Sequence, residues 1–184
     1  LFGTPLTLGI IAKRQEDFKQ APPLKLKSIT TATILRLGDF KIKFFGVSHN
    51  IPGSLGVVVE SPVGKIVHTG DFKLDPLASG DAPTEMGKIK ALGQENIIAL
   101  MADSTNATQE GHQLTEGNIQ TNIDEVLNKA PARIILGTFA SLLGRIQQII
   151  WSAEKLGKKV IIEGFSMKRN VELALQLGYM KVKK

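Results

Sequence analysis

The chain has 184 residues, 42% hydrophobic and 22% charged, a balance that lets a globular protein bury a core. It has no cysteine, which excludes a disulfide framework and thiolate metal sites. Its longest wholly apolar run, 97–102, falls far short of the ~20 residues a membrane span needs. Twenty-three Lys and Arg against seventeen Asp and Glu leave a formal charge of +6. That fits a polyanionic partner such as nucleic acid, and equally a surface kept soluble by lysine. The first residues lack the basic start and long apolar block of a secretory signal, so a cytoplasmic setting is expected. A start at Leu1 and a stop soon after a helical segment suggest an internal piece of a longer protein.

In chain order, 7–18 reads as an amphipathic helix closed by Pro22-Pro23. Strands are expected at 31–37 and at 39–47, where Phe40, Ile42 and Phe44 alternate with Lys41 and Lys43. After a loop at 48–54, 55–60 is a third strand, and Ser61-Pro62-Val63-Gly64 turns into a fourth at 65–69. A short helical patch at 86–92 leads to a buried strand at 97–102 ending at Asp103. Helices near 115–128, 142–156 and 167–177 then alternate with strands at 133–138 and 159–162, the pattern of a helix-covered parallel sheet. Organisation therefore changes near residue 112, from strand-rich hairpins to α/β alternation.

Following strand direction, His49 and Asp71 arrive at the same end of the sheet. A right-handed parallel crossover brings Asp103 there too. One imidazole and two carboxylates on one rim suit a metal or acid/base cluster. Each residue also has a structural reading: Gly70-Asp71 as a turn, and Asp103-Ser104-Thr105 as a helix cap or Asx-turn. His68 should alternate away from the rim, and His112 falls in a polar loop; both default to structural or solvent roles.

The strings SHNIPGSLGVVVESPVGKIVHTGDFKLDP and MADSTNA, and the run from LGTFASLLGR to LQLGYM, closely resemble ribonuclease J of the metallo-β-lactamase/β-CASP family. The resemblance covers nearly the whole chain in the right order. It implies an α/β fold: a partial metallo-β-lactamase αββα sandwich over 1–112, then the first portion of a β-CASP domain over 113–184. By the same resemblance His49 is a zinc ligand and Asp71 a carboxylate bridging two zinc ions. Asp103 is the acidic residue that supports a later catalytic histidine. The implied activity is 5′-to-3′ exonuclease action on RNA, with possible endonucleolytic cleavage, in an oligomeric, cytoplasmic parent with no membrane partner. The family's H-x-H-x-D-H string is absent from these residues, so the chain alone is expected to be inactive.

The second half offers a phosphate clamp. Ser141 and Arg145 lie where one strand hands over to a helix, and Ser166 and Lys168 repeat the arrangement at the next such junction. Ordinary capping by the two serines is the plainer alternative. Leu142, Leu143 and Gly144 stand where related proteins place polar or aromatic residues, and Phe165 where they tend to have arginine. A DNA-processing or RNA 3′-end-processing relative, or a non-catalytic RNA-binding paralogue, are the rival readings.

Overall fold

The computed structural model describes residues 1–75, 83–111 and 113–183; the His112 reading lies outside these. The elements in chain order are β1 (Phe2–Gly3), α1 (Pro5–Gln15), β2 (Lys27–Ser28), β3 (Leu35–Leu37), β4 (Phe40–Gly46), β5 (Leu55–Ser61) and β6 (Gly64–His68). They continue with α2 (Met86–Leu92), β7 (Ile97–Met101), α3 (Glu116–Lys129), α4 (Leu143–Lys155) and α5 (Phe165–Gln176). The result is mixed α/β.

Most of the expected elements form, and the departures have local causes. The strand expected at 31–37 is reduced to β3, because threonine hydroxyls bond nearby amides and hold a turn ahead of it. Thr33 Oγ1 accepts from the Thr30 amide at 2.9 Å, and Thr30 Oγ1 accepts from the Ala32 amide at 3.2 Å. α1 begins earlier than its periodicity predicts, since Pro5 suits the first turn, where its missing N–H costs nothing.

The main sheet is five-stranded in the order β3-β4-β5-β6-β7, antiparallel except for the parallel β6–β7 pair. Alternation puts Phe45, Val58 and Val67 on one face, where they form a core with Phe72, Ile89 and Leu92. The same alternation sends Lys41, Lys43, Glu60 and Lys65 to the far end of that face, with Glu60 ion-paired to all three lysines. β7 is not the buried strand expected of an apolar run. Among the described residues it is one of the two outer strands of the sheet, with Leu100 66% and Met101 56% exposed.

A second core gathers Leu143, Ile146 and Ile150 of α4, Val171 and Ala174 of α5, and Leu6 of α1. α1 is also tied to α5 through Arg169, which pairs with Asp17 at 3.2 Å and Glu16 at 3.5 Å and donates to the Lys13 carbonyl. The strands expected at 133–138 and 159–162 are not found: neither segment enters a ladder among the described residues. A parallel strand takes all its ladder bonds from neighbours far away in sequence, so local propensity alone does not make one. Both segments instead border an apolar cleft of about 740 Å³, with Ile135 91% and Ile161 81% exposed.

Gly56 shows how tightly the first core is set. A Cβ there would lie 2.1 Å from the Phe45 ring, which covers the strand at that point. Gly56→Ala should therefore expel the ring and destabilise the protein by about 1–3 kcal/mol. Urea denaturation would read this as a lower midpoint with little change in slope.

Candidate functional site

The rim of the sheet is built by hydrogen bonds between loops that are far apart in sequence. The Thr69 amide donates to the Met101 carbonyl at 3.0 Å, and the Asp103 amide donates to Thr69 Oγ1 at 3.1 Å, extending the β6–β7 pairing to the rim. On the other side the Lys73 amide donates to the Ser48 carbonyl at 2.8 Å. Buried Thr84 staples these two loops: its Oγ1 accepts from the Ser48 amide at 3.0 Å and donates to the Lys73 carbonyl at 2.8 Å. Thr84 was not foreseen, because a threonine in an irregular stretch has no pattern to mark it.

Between the loops, Gly70 takes φ +63°, and a Cβ there would sit 3.1 Å from the Leu55 carbonyl oxygen. Glycine is what lets the chain turn sharply enough to deliver Asp71 to the rim. His68 accepts the Gly70 amide on Nδ1 at 2.9 Å, stays exposed and does not line the cavity that the rim encloses.

Here His49, Asp71 and Asp103 come together. They line a single cavity of about 440 Å³, with Lys73, Glu116 and Arg145 among its other walls. Asp103 is held by its own loop: Oδ1 accepts the Thr105 hydroxyl at 2.6 Å and the Thr105 amide at 2.9 Å. These bonds, with smaller help from the Phe72 amide and the charge of His49, hold its carboxyl below the usual range despite some desolvation. The helix-cap alternative for Asp103 is not realised, since no helix begins there; the Asx-type turn is. Among the described residues no group of three His, Asp or Glu is disposed to hold a metal ion by itself.

The charged side chains of the same cavity are organised by Glu116, the first residue of α3. Its carboxylate takes Lys73 Nζ at 2.9 Å and Arg145 Nη2 at 3.1 Å. Its amide donates to Oδ2 of buried Asp75 at 2.6 Å, and its carbonyl accepts Gln148 Nε2 at 3.1 Å. Arg145 is fixed further by Nε donating to Gln148 Oε1 at 2.9 Å. Sequence reading missed Glu116, which looks like any acidic residue in a helix's first turn.

The rest of the expected phosphate clamp lies elsewhere. Ser141, Ser166 and Lys168 do not line this cavity. Neither serine caps a helix: the caps are Leu142 and Gly164, with Ser166 inside the first turn of α5. Lys168 pairs with Glu163 at 2.7 Å on the surface. Leu143 is wholly buried core, whereas Leu142 and Gly144 form an apolar stretch of cavity wall. Phe165 is 72% exposed beneath the Arg169 guanidinium, 5.1 Å from the ring centroid.

The fold and rim together define a mixed α/β protein with its polar side chains gathered around one cavity. Residues 131–184 match the family described as ribonuclease J, beta-CASP domain. The chain is ribonuclease J-like along its entire length. It is 42% identical over 185 aligned positions to ribonuclease J of Thermus thermophilus, covering 100% of this chain and 32% of that protein. It is 34% identical to ribonuclease J of Corynebacterium glutamicum and 32% identical to ribonuclease J2 of Bacillus subtilis, each over 98% of this chain. The chain thus spans between a quarter and a third of these relatives' length, 25% in the second and 33% in the third. The fold also matches a crystal structure of a protein of unknown function from Enterococcus faecalis V583, with a TM-score of 0.74 and 14% identity. That match covers 100% of this chain and 44% of the other. No helix among the described residues is long and apolar enough to cross a membrane.

Glu116 carries a pH prediction. Burial pushes its carboxyl upward, but the bonds and charges of Lys73 and Arg145 outweigh this and hold it below its ordinary value of 4.5. Its contribution to stability is therefore complete above the unfolded value and is lost as pH falls through the lowered folded one. Glu116→Gln should flatten the acid side of the stability profile as pH falls below the ordinary value of 4.5, read from urea melts at stepped pH. An unchanged acid slope would show that the two ion pairs contribute nothing.

Proposed function

We propose that this chain belongs to a zinc-dependent ribonuclease that hydrolyses RNA phosphodiesters, and that it carries part of the catalytic centre. The observation that supports this best is the meeting of His49, Asp71 and Asp103 around one cavity faced by Lys73 and Arg145. A neutral imidazole and carboxylates are the donor types that suit Zn²⁺, and the cavity leaves them accessible. His49 and Asp71 would hold two zinc ions, with Asp71 shared between them, and other residues of the protein would complete the ligand set. When bound, the ions supply a water acidified enough to attack near neutral pH and charge to offset the phosphoryl oxygens.

The chain's own residues do the rest. Asp103 stays ionised through its Thr105 bonds, so it can orient a proton-carrying histidine from elsewhere in the protein. The reading extends to 5′-to-3′ exonuclease action with endonucleolytic cleavage, a homo-oligomeric assembly and a cytoplasmic site of action. Residues 1–112 are assigned to the metallo-β-lactamase portion and 113–184 to the β-CASP portion.

One observation favours a non-catalytic RNA-binding paralogue: Leu142 and Gly144 leave one stretch of cavity wall without polar side chains. Cleavage decides between the two. In the protein expressed from its natural gene, His49→Ala and Asp71→Asn should each lower cleavage of 5′-monophosphorylated RNA at least about a hundredfold and weaken zinc binding. Equal cleavage in all three proteins would remove the catalytic assignment. Zinc binding without cleavage of RNA would favour the paralogue, and preference for DNA would favour a DNA-processing relative.

A further inference from the structure

Glu116 has the position of a device rather than of a surface ion pair. It lines the same cavity as His49 and Asp71, where the loop after β6, the start of α3 and the first turn of α4 meet. One carboxylate there holds two cations from different parts of the chain: Oε1 accepts from Lys73, and Arg145 Nη2 donates to Oε2 at 3.1 Å and, more weakly, to Oε1 at 3.5 Å. Its own backbone is pinned at both polar groups, the amide by Asp75 and the carbonyl by Gln148. Gln148 is fully buried and also fixes Arg145 Nε, so Glu116, Gln148 and Arg145 form a closed ring of hydrogen bonds.

Arg145 is thereby locked through Nε and Nη2, while Nη1 makes no hydrogen bond among the described residues. Lys73 has three N–H donors; it spends one on Glu116 and lies 4.0 Å from Asp75. Both cations therefore keep donors at a cavity wall with their long side chains already ordered. The neighbouring stretch, Leu142 to Gly144, offers no polar side chain. A phosphate lying against this wall would find Lys73 and Arg145 as its side-chain cations. Ordering a flexible cation before the ligand arrives removes part of the entropic cost of binding.

We propose that Glu116 is a positioning residue that holds Lys73 and Arg145 as a paired phosphate contact for the RNA backbone in the cavity that the metal ligands also line. The assignment rests on the ribonuclease reading and deepens it. Two roles for Glu116 predict opposite signs. If it only neutralises the cations, removing its charge strengthens RNA binding; if it aims them, removing its charge weakens binding.

The test is binding of 5′-monophosphorylated single-stranded RNA to the protein expressed from its natural gene, in EDTA, over a range of salt concentrations. Glu116→Gln should bind about tenfold more weakly, and Glu116→Asp should recover part of that loss. Lys73→Met and Arg145→Met should each lower the salt slope by about 0.7, the value of one single-strand phosphate contact. Glu116→Gln added to the Lys73→Met/Arg145→Met pair should cost nothing further. With metal restored, the Glu116→Gln defect should fall on KM more than on kcat. Tighter binding by Glu116→Gln overturns the proposal, as does unchanged binding with a lowered melting temperature, which makes the residue structural only. If the unsubstituted protein binds no RNA, the ribonuclease reading falls and this assignment falls with it.

Discussion

The parallel pairing of β6 with β7 is the constraint on which the rim depends. The β4–β5–β6 meander is locally connected and would form from hairpins alone. β7 returns to the sheet only after a long connection through α2, and its register decides where the chain emerges. The Thr69 amide on the Met101 carbonyl carries that register past the last strand residues, and Thr69 Oγ1 then takes the Asp103 amide. One misaligned residue would turn the following side chains to the other face of the sheet. Asp103 faces the same cavity as His49 and Asp71 because this pairing is held to its end.

The loops that bear the functional side chains are fixed mainly through backbone groups. Ser48, Lys73 and Thr84 are joined by main-chain amides and carbonyls with a single hydroxyl between them. This arrangement leaves the His49 and Asp71 side chains without a hydrogen bond among the described residues, as the proposed ligand role requires. For the long cationic side chains of the cavity the logic reverses. Arg145 and Lys73 are charged and flexible, and there a carboxylate does the fixing. Backbone ties position neutral loops, and ion pairs position the ends of long side chains.

Much of this was legible in the residues. Alternation of Phe40, Ile42 and Phe44 with lysines marked β4, and tracing strand direction was enough to gather His49, Asp71 and Asp103 on one rim. The failures share a cause. The apolar content of 97–102 predicts burial, yet β7 lies at the margin of the sheet, and composition does not report which strand is outermost. The segments 133–138 and 159–162 have strong β propensity, but a ladder depends on distant partners that propensity does not supply. Thr84 and Glu116 were invisible for a related reason: each acts through contacts separated by tens of residues, and neither belongs to a periodic pattern. The serines at 141 and 166 were expected near helix starts and are found there, one just outside α4 and the other inside α5, with neither serving as a cap.

The outer position of β7 has a further consequence. A strand paired on one side only leaves alternate amides and carbonyls on its other side ready for any extended chain. Among the described residues no strand pairs with that edge of β7, which is flanked by bare leucine and methionine with no charged residue between Ile97 and Met101 to discourage docking. Concentrated solutions of this polypeptide will therefore tend to stick edge to edge. A lysine substituted at Leu100 is the economical way to keep it dispersed.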